Sequence, residues 1–145
     1  MIIQVVTSFF ISMCFGGAFQ LRLKGMLVAG LAGGLSWLAF LIVKPLFGSD
    51  FVAYFFASCV LNVFSEIAAR VAKMPAISFI VPGLVPLVPG WALYSTMYDF
   101  VQGDTQAAWS SAIFSFSTAI SISLGFVLTL GVTRLRRPKW MSLKR

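Results

Sequence analysis

The sequence predicts an all-α integral membrane protein of about five transmembrane helices, the fourth interrupted by a Pro/Gly-rich break at residues 82–90. Its N-terminus is placed outside and its C-terminus in the cytoplasm. Three observations carry this reading. The chain is 59% hydrophobic and 10% charged, with a mean hydropathy of +0.95, far from the composition of soluble domains. Charges and turn residues cut it into apolar runs near the 20 or so residues that a helix needs to cross a bilayer. The eleven basic residues are distributed so that alternate connections carry nearly all of them.

The elements follow in order within one transmembrane domain, residues 1–145. The opening MIIQVVTSFF has no basic stretch ahead of its apolar residues, which marks a retained span over 2–19 and not a cleaved leader. RLKG leads to a second span, 26–43, and KPLFGSD forms the next loop. A third span covers 51–69. RVAKMP then connects to the interrupted segment 76–102, and a last span, 106–132, precedes the basic tail 133–145.

With the N-terminus outside, Arg22, Lys24, Arg70, Lys73 and six tail residues (Arg134, Arg136, Arg137, Lys139, Lys144 and Arg145) lie on the cytoplasmic side. Only Lys44 stays outside, beside Asp50, Asp99 and Asp104. This is the positive-inside bias of membrane proteins. It also requires the interrupted segment to cross fully, because a re-entrant excursion would put the tail outside. The net charge of +7 is thus a topology signal that calls for a lipid bilayer with anionic headgroups and for no nucleic acid. Cys14 and Cys59 sit singly in apolar runs as packing residues, and no cofactor or metal site is indicated. Without histidine, a carboxylate pair at one depth or a metal-ligand cluster, the chain does not read as an enzyme.

Two patterns invite a functional reading. The first is VPGLVPLVPG, residues 81–90. Pro82, Pro86 and Pro89 would free the carbonyls of Ser78, Pro82 and Val85 if the segment were helical. Pro82-Gly83 and Pro89-Gly90 each suit the centre of a type II turn. The segment is expected to break into a stub, 76–81, and a half-helix, 91–102, whose bare N-terminus attracts a carboxylate. Discontinuous helices hold substrates and ions in this way in many transporters. A proline kink serving packing alone is the competing account.

The second pattern is Ser58, Asn62, Glu66 and Arg70, spaced four apart on the third span and so on one helix face. Glu66 is the acidic residue clearly inside a span, a default candidate for a proton or cation site with Arg70 as its i,i+4 partner. Helical rise places it in the layer of the proline break. A structural ion pair at the membrane edge is the alternative. Weaker patterns are Gly30-x-x-x-Gly34, the series Ser117, Ser121, Gly125, and Gln4, Ser8, Ser12, all suited to close helix packing. Trp91, Trp109, Tyr94 and Tyr98 fit interfacial, packing or substrate-contact roles equally.

The stretch SEIAARVAKMPAISFIVPGLVPLVPGWALY, residues 65–94, resembles the signature of the threonine/serine exporter family. The likeness is to the C-terminal half of long members, which stands alone as the small subunit of two-component members. Matching positions are Glu66, Arg70, Pro75, Pro82, Gly83, Pro86, Pro89, Gly90 and Tyr94, with QGD at 102–104 before the last span. The resemblance implies export of small amino acids such as threonine and serine, driven by the proton gradient, together with a larger membrane subunit. Some two-component members are linked instead to dicarboxylates such as succinate.

The leading expectation is therefore a transporter subunit for a small carboxylate-bearing solute. Pro82, Gly83, Pro86, Pro89, Gly90, Asn62 and Tyr94 are the candidate substrate residues, and Glu66 and Arg70 the candidate coupling residues. A non-binding assembly subunit is the alternative from another class. Self-association into a homo-oligomer stays open.

Overall fold

In the computed structural model, which describes residues 1–135, the chain is built of six α-helices and one 3-10 turn. They are α1 (Ile2–Ala18), α2 (Leu23–Phe47), α3 (Asp50–Ala72), α4 (Ile77–Leu84), the 3-10 turn Val85–Leu87, α5 (Gly90–Val101) and α6 (Thr105–Leu135). No strand occurs among the described residues. The helices α2, α3 and α6 are long and apolar enough to cross a membrane, and the bent pair formed by α4 with its 3-10 turn and α5 would make a fourth. The 17 residues of α1 rise about 26 Å, somewhat short of a hydrocarbon core of about 30 Å. Beyond 135 the basic tail lies outside the described residues, so the placement of most of its cations is an expectation from sequence alone.

The turns between helices have local causes. Helix α2 runs through Lys44 and Pro45 to Phe47, where a loop was expected from residue 44. Lys44 remains helical because its ammonium pairs with Asp50 at 2.7 Å, next to the Phe40 ring at 5.6 Å. Gly48, at φ 62°, ends the helix in the left-handed conformation that glycine adopts without strain, and α3 starts at Asp50. Helix α3 stops at Lys73, also left-handed at φ 53°, with the Met74 N–H reaching back to the Ala69 carbonyl. Asp104 caps α6 by accepting the Ala107 N–H at 3.0 Å.

Small residues set the packing. Helices α1 and α2 lie antiparallel, with Ser12 and Ser8 against Gly33 and Phe9 against Gly30. An added Cβ at Gly30 would lie 3.0 Å from the Phe9 carbonyl oxygen, whereas at Gly34 its nearest neighbour would be 3.5 Å away. The close pair is therefore Gly30 and Gly33. Helices α2 and α3 form a hairpin filled by Trp37, Phe40 and Tyr54, their rings 5.1 and 4.6 Å apart in sequence. In contrast, α3 and α6 run parallel. Going down both helices, Phe51 meets Ser121, Ser58 meets Gly125, and Asn62 meets Phe126.

The segment 76–102 differs from expectation in where it breaks. Neither Pro82-Gly83 nor Pro89-Gly90 forms a type II turn. The positive φ angles of the described chain fall at Gln20, Gly48, Lys73 and Gly103. Pro82 sits inside α4 and Pro86 inside the 3-10 turn. Proline's fixed φ is itself helical, so a short segment tolerates it where the carbonyl four back is released. Tightening into the 3-10 turn lets the Val88 N–H bond both the Leu84 and Val85 carbonyls, at 3.2 and 3.4 Å. Val88 leaves helical geometry first, with ψ 127°, as suits the residue before a proline, and Pro89 follows at ψ 60°. The interruption is thus confined to Val88 and Pro89, and the two arms bend by 49°.

Candidate functional site

The break joins two unlike environments. Upstream of it, α4 and the 3-10 turn are enclosed by α1, α2 and α3. Phe79, Pro82, Gly83 and Leu87 are buried there. Gly83 is wedged between Leu61 of α3 and Ala32 and Gly33 of α2. Downstream, among the described residues, α5 packs on α6 and on no other helix, and Ala92 is its one buried residue. At Val88–Pro89 the chain therefore passes from the centre of the bundle to its margin.

The backbone there is poorly satisfied. Pro89, at φ −75° and ψ 60°, has the geometry of an inverse γ-turn, and the Gly90 N–H closes it on the Val88 carbonyl at 2.7 Å. The first full helical bond of α5 runs from the Leu93 N–H to the Pro89 carbonyl at 3.1 Å. Among the described residues, the N–H groups of Trp91 and Ala92 have no backbone acceptor, and no side chain caps the helix. Bare N–H groups and the positive end of the helix dipole make this terminus attractive to an anion. Beside it a cleft of about 350 Å3 separates Val88, Pro89 and Leu93 from Phe116, Ala119 and Ile122 of α6, with Ser115 and Ser123 as its polar members.

The polar stripe of α3 faces elsewhere. Ser58 lies against Gly125, Cys59 Sγ approaches the Gly125 carbonyl at 3.6 Å, and Asn62 Nδ2 donates to the Phe126 carbonyl at 3.3 Å. The stripe is thus the seam with α6, whereas α4 packs on the adjacent face through Leu61. Glu66 is buried, 8% exposed, and its carboxylate pairs with Arg70 at 3.5 Å, while the Arg70 side chain reaches outward. Asn62 Oδ1 and Ser65 Oγ, one turn or less from Glu66, are buried without a hydrogen-bond partner.

Depth also separates the two expected halves of the site. Leu87, just before the break, shares a buried cluster with Ala53, Tyr54, Ala57 and Leu61 of α3. Glu66 lies about 8 to 20 Å from these residues along α3 by helical rise. The layer near Glu66 is instead that of Phe79, which packs with Leu21, Ala29 and Ala68. Tyr94 is grouped with neither. It stacks between Trp91 and Tyr98, with ring centroids 5.8 and 6.0 Å away, along a second cleft that also holds Asp99. From sequence, Asp99 has only a topological place, outside with Asp50 and Asp104, and not a site role. Its place after Trp91, Tyr94 and Tyr98 on one helix face was the signal available in the sequence.

Two features now point the same way: an apolar helical bundle, and a broken helix that leaves backbone N–H groups bare beside a cleft. The pattern of the threonine/serine exporter (ThrE) family matches residues 4–132, which take in the break, the α3 stripe and nearly all of α6. No curated protein and no solved structure matches the chain. The family transports and does not catalyse. The chain accordingly belongs to the threonine/serine exporter family, as a multi-pass protein of the cell membrane.

Proposed function

We propose that the chain is one membrane subunit of a secondary exporter for threonine and serine, coupled to protons and completed by a larger membrane subunit. In this reading the whole chain is one transmembrane domain with five crossings, its N-terminus outside. The solute carboxylate meets the bare N–H groups at the start of α5, and Gly90 leaves room for its approach, since nothing lies within 4 Å of an added Cβ there. Pro89 sets the break, while Pro82, Gly83 and Pro86 hold the buried arm in place. Glu66 carries the coupling proton, with Arg70 as its counter-ion and Asn62 beside it.

The observation that carries this reading is the parallel course of α3 and α6. A re-entrant excursion between them would return the chain to the side where α3 ended, and α6 would then run antiparallel. Parallel packing supports a full crossing by residues 76–102, with the Val88–Pro89 break inside the membrane. Irregular backbone at that depth needs protein or a wet cavity around it. The exposed side of α5 supports a partner that supplies the rest of the enclosure.

A second reading, an assembly subunit that never touches solute, draws support from the almost wholly apolar lining of the cleft at the break. Solute efflux separates the two, measured in cells carrying this chain alone, its larger partner alone, or both, with wild-type chain and Gly90→Ala. Export of threonine that needs both chains and falls in Gly90→Ala, with the complex intact, supports the first reading. Full export by Gly90→Ala supports the second. Efflux of succinate in place of threonine would move the substrate to the dicarboxylates.

A further inference from the structure

We propose that the cleft between the far half of α5 and the first turns of α6 is a station for an organic ammonium group, the α-ammonium of the exported amino acid. The proposal rests on the reading that this chain contacts amino acids during export. The cleft has a volume of about 570 Å3 and is lined by Trp91, Tyr94, Ser95, Tyr98 and Asp99 of α5 and Ser111 of α6.

Its lining combines aromatic side chains, hydroxyl groups and one carboxylate. Trp91, Tyr94 and Tyr98 form a file of rings, and aromatic faces attract a cation within about 6 Å of the ring centre. The Tyr98 ring is fixed by Gln102, whose Nε2 donates to the Tyr98 hydroxyl at 2.9 Å. The Ser95 hydroxyl hydrogen is committed to the Trp91 carbonyl at 2.7 Å, which leaves the Ser95 oxygen as an acceptor. Asp99 lies in the last turn of α5, where the helix dipole is negative and a carboxylate is disfavoured. It therefore does not stabilise its own helix. Among the described residues, no Lys or Arg side chain is within ion-pair distance of it. A carboxylate, a negative helix end and an aromatic lining together create a site for a positive charge.

An ammonium group suits this lining because it has three donors and no acceptor. A hard metal cation would want about six oxygen ligands, which one carboxylate and two serines do not supply. Asp99 and Gly90 are about 14 Å apart by helical rise, too far for one small amino acid to bridge. The cleft is therefore separate from the carboxylate end at the break, and it disfavours dicarboxylates, which Asp99 repels.

Two blocked derivatives test the assignment on the full chain in phosphatidylcholine nanodiscs by titration calorimetry. L-threonine methyl ester keeps the ammonium and N-acetyl-L-threonine keeps the carboxylate. The ester is expected to bind wild type and Asp99→Glu alike, and to bind Asp99→Asn roughly tenfold more weakly, as loss of a charged hydrogen bond entails. Binding of N-acetyl-L-threonine should be the same in all three. Ester binding unchanged in Asp99→Asn, or a parallel fall for both derivatives, overturns the proposal and leaves the exporter reading intact. Binding of neither derivative to wild type overturns the reading that this chain contacts solute, and the proposal with it.

Discussion

Replacing Gly83 with alanine would put a methyl carbon 2.5 Å from Leu61 Cδ1, 3.3 Å from Ala32 Cβ and 3.5 Å from the Gly33 backbone nitrogen. Favourable carbon–carbon contact begins near 3.5 Å, so Leu61 has to move by roughly 1 Å. Leu61 is 0% exposed, so it can move only by displacing its neighbours, and behind Ala32 and Gly33 lies the α2 backbone. Overpacking of this kind destabilises by about 1–3 kcal/mol. The better helix propensity of alanine offsets about 1 kcal/mol of that. The net loss is then about 0–2 kcal/mol, or up to about 8 °C in Tm for a chain of this size. Gly90→Ala is the matched control, because nothing lies within 4 Å of its added Cβ. It should leave Tm unchanged or slightly raised. Thermal unfolding of the purified chains in one detergent, read by circular dichroism, measures both. A Gly83→Ala chain more stable than wild type, or a Gly90→Ala chain less stable than Gly83→Ala, would refute the claim that the upstream arm is clamped and the start of α5 open.

The α3–α6 seam should be less forgiving. At Gly125 an added Cβ lies 2.8 Å from the Phe55 carbonyl oxygen, a backbone atom that cannot rotate aside, so Gly125→Ala should lower Tm by more than Gly83→Ala does. Asp50→Asn removes the Lys44 partner, but with both side chains more than a third exposed the loss should stay within about 1 kcal/mol and shrink with added salt, as denaturation at two salt concentrations would show. Glu66→Gln removes the carboxylate assigned to coupling, and its threonine efflux should become independent of external pH. Efflux that keeps the wild-type pH profile would return Glu66 to a structural role.

Much of the fold is legible in the sequence because apolar run length and charge placement act locally. Helices α1, α3 and α6 begin and end within three residues of the expected spans. The break was legible in composition and less so in position. Three prolines predict a break with two type II turns over residues 82–90, yet Pro82 and Pro86 are held helical where the segment packs between α2 and α3, contacts that no local rule encodes. Helix α2 outran its expected end because Asp50, beyond the turn, neutralises Lys44. Periodicity placed Ser58, Asn62, Glu66 and Arg70 on one face, but which neighbour that face meets is a tertiary fact. It meets α6 through Ser58 and Asn62, whereas α4 packs on the neighbouring face through Leu61.

Single cysteines at positions 73, 90 and 104, introduced into a chain whose Cys14 and Cys59 are replaced by alanine, test the central claim most directly. In intact cells a membrane-impermeant maleimide should label position 104 at once and position 73 only after permeabilisation. Position 90 should react at a rate that threonine slows. Labelling of 73 and 104 from the same side, with 90 silent to every aqueous reagent, would contradict a segment that crosses the bilayer and opens to water at Val88–Pro89.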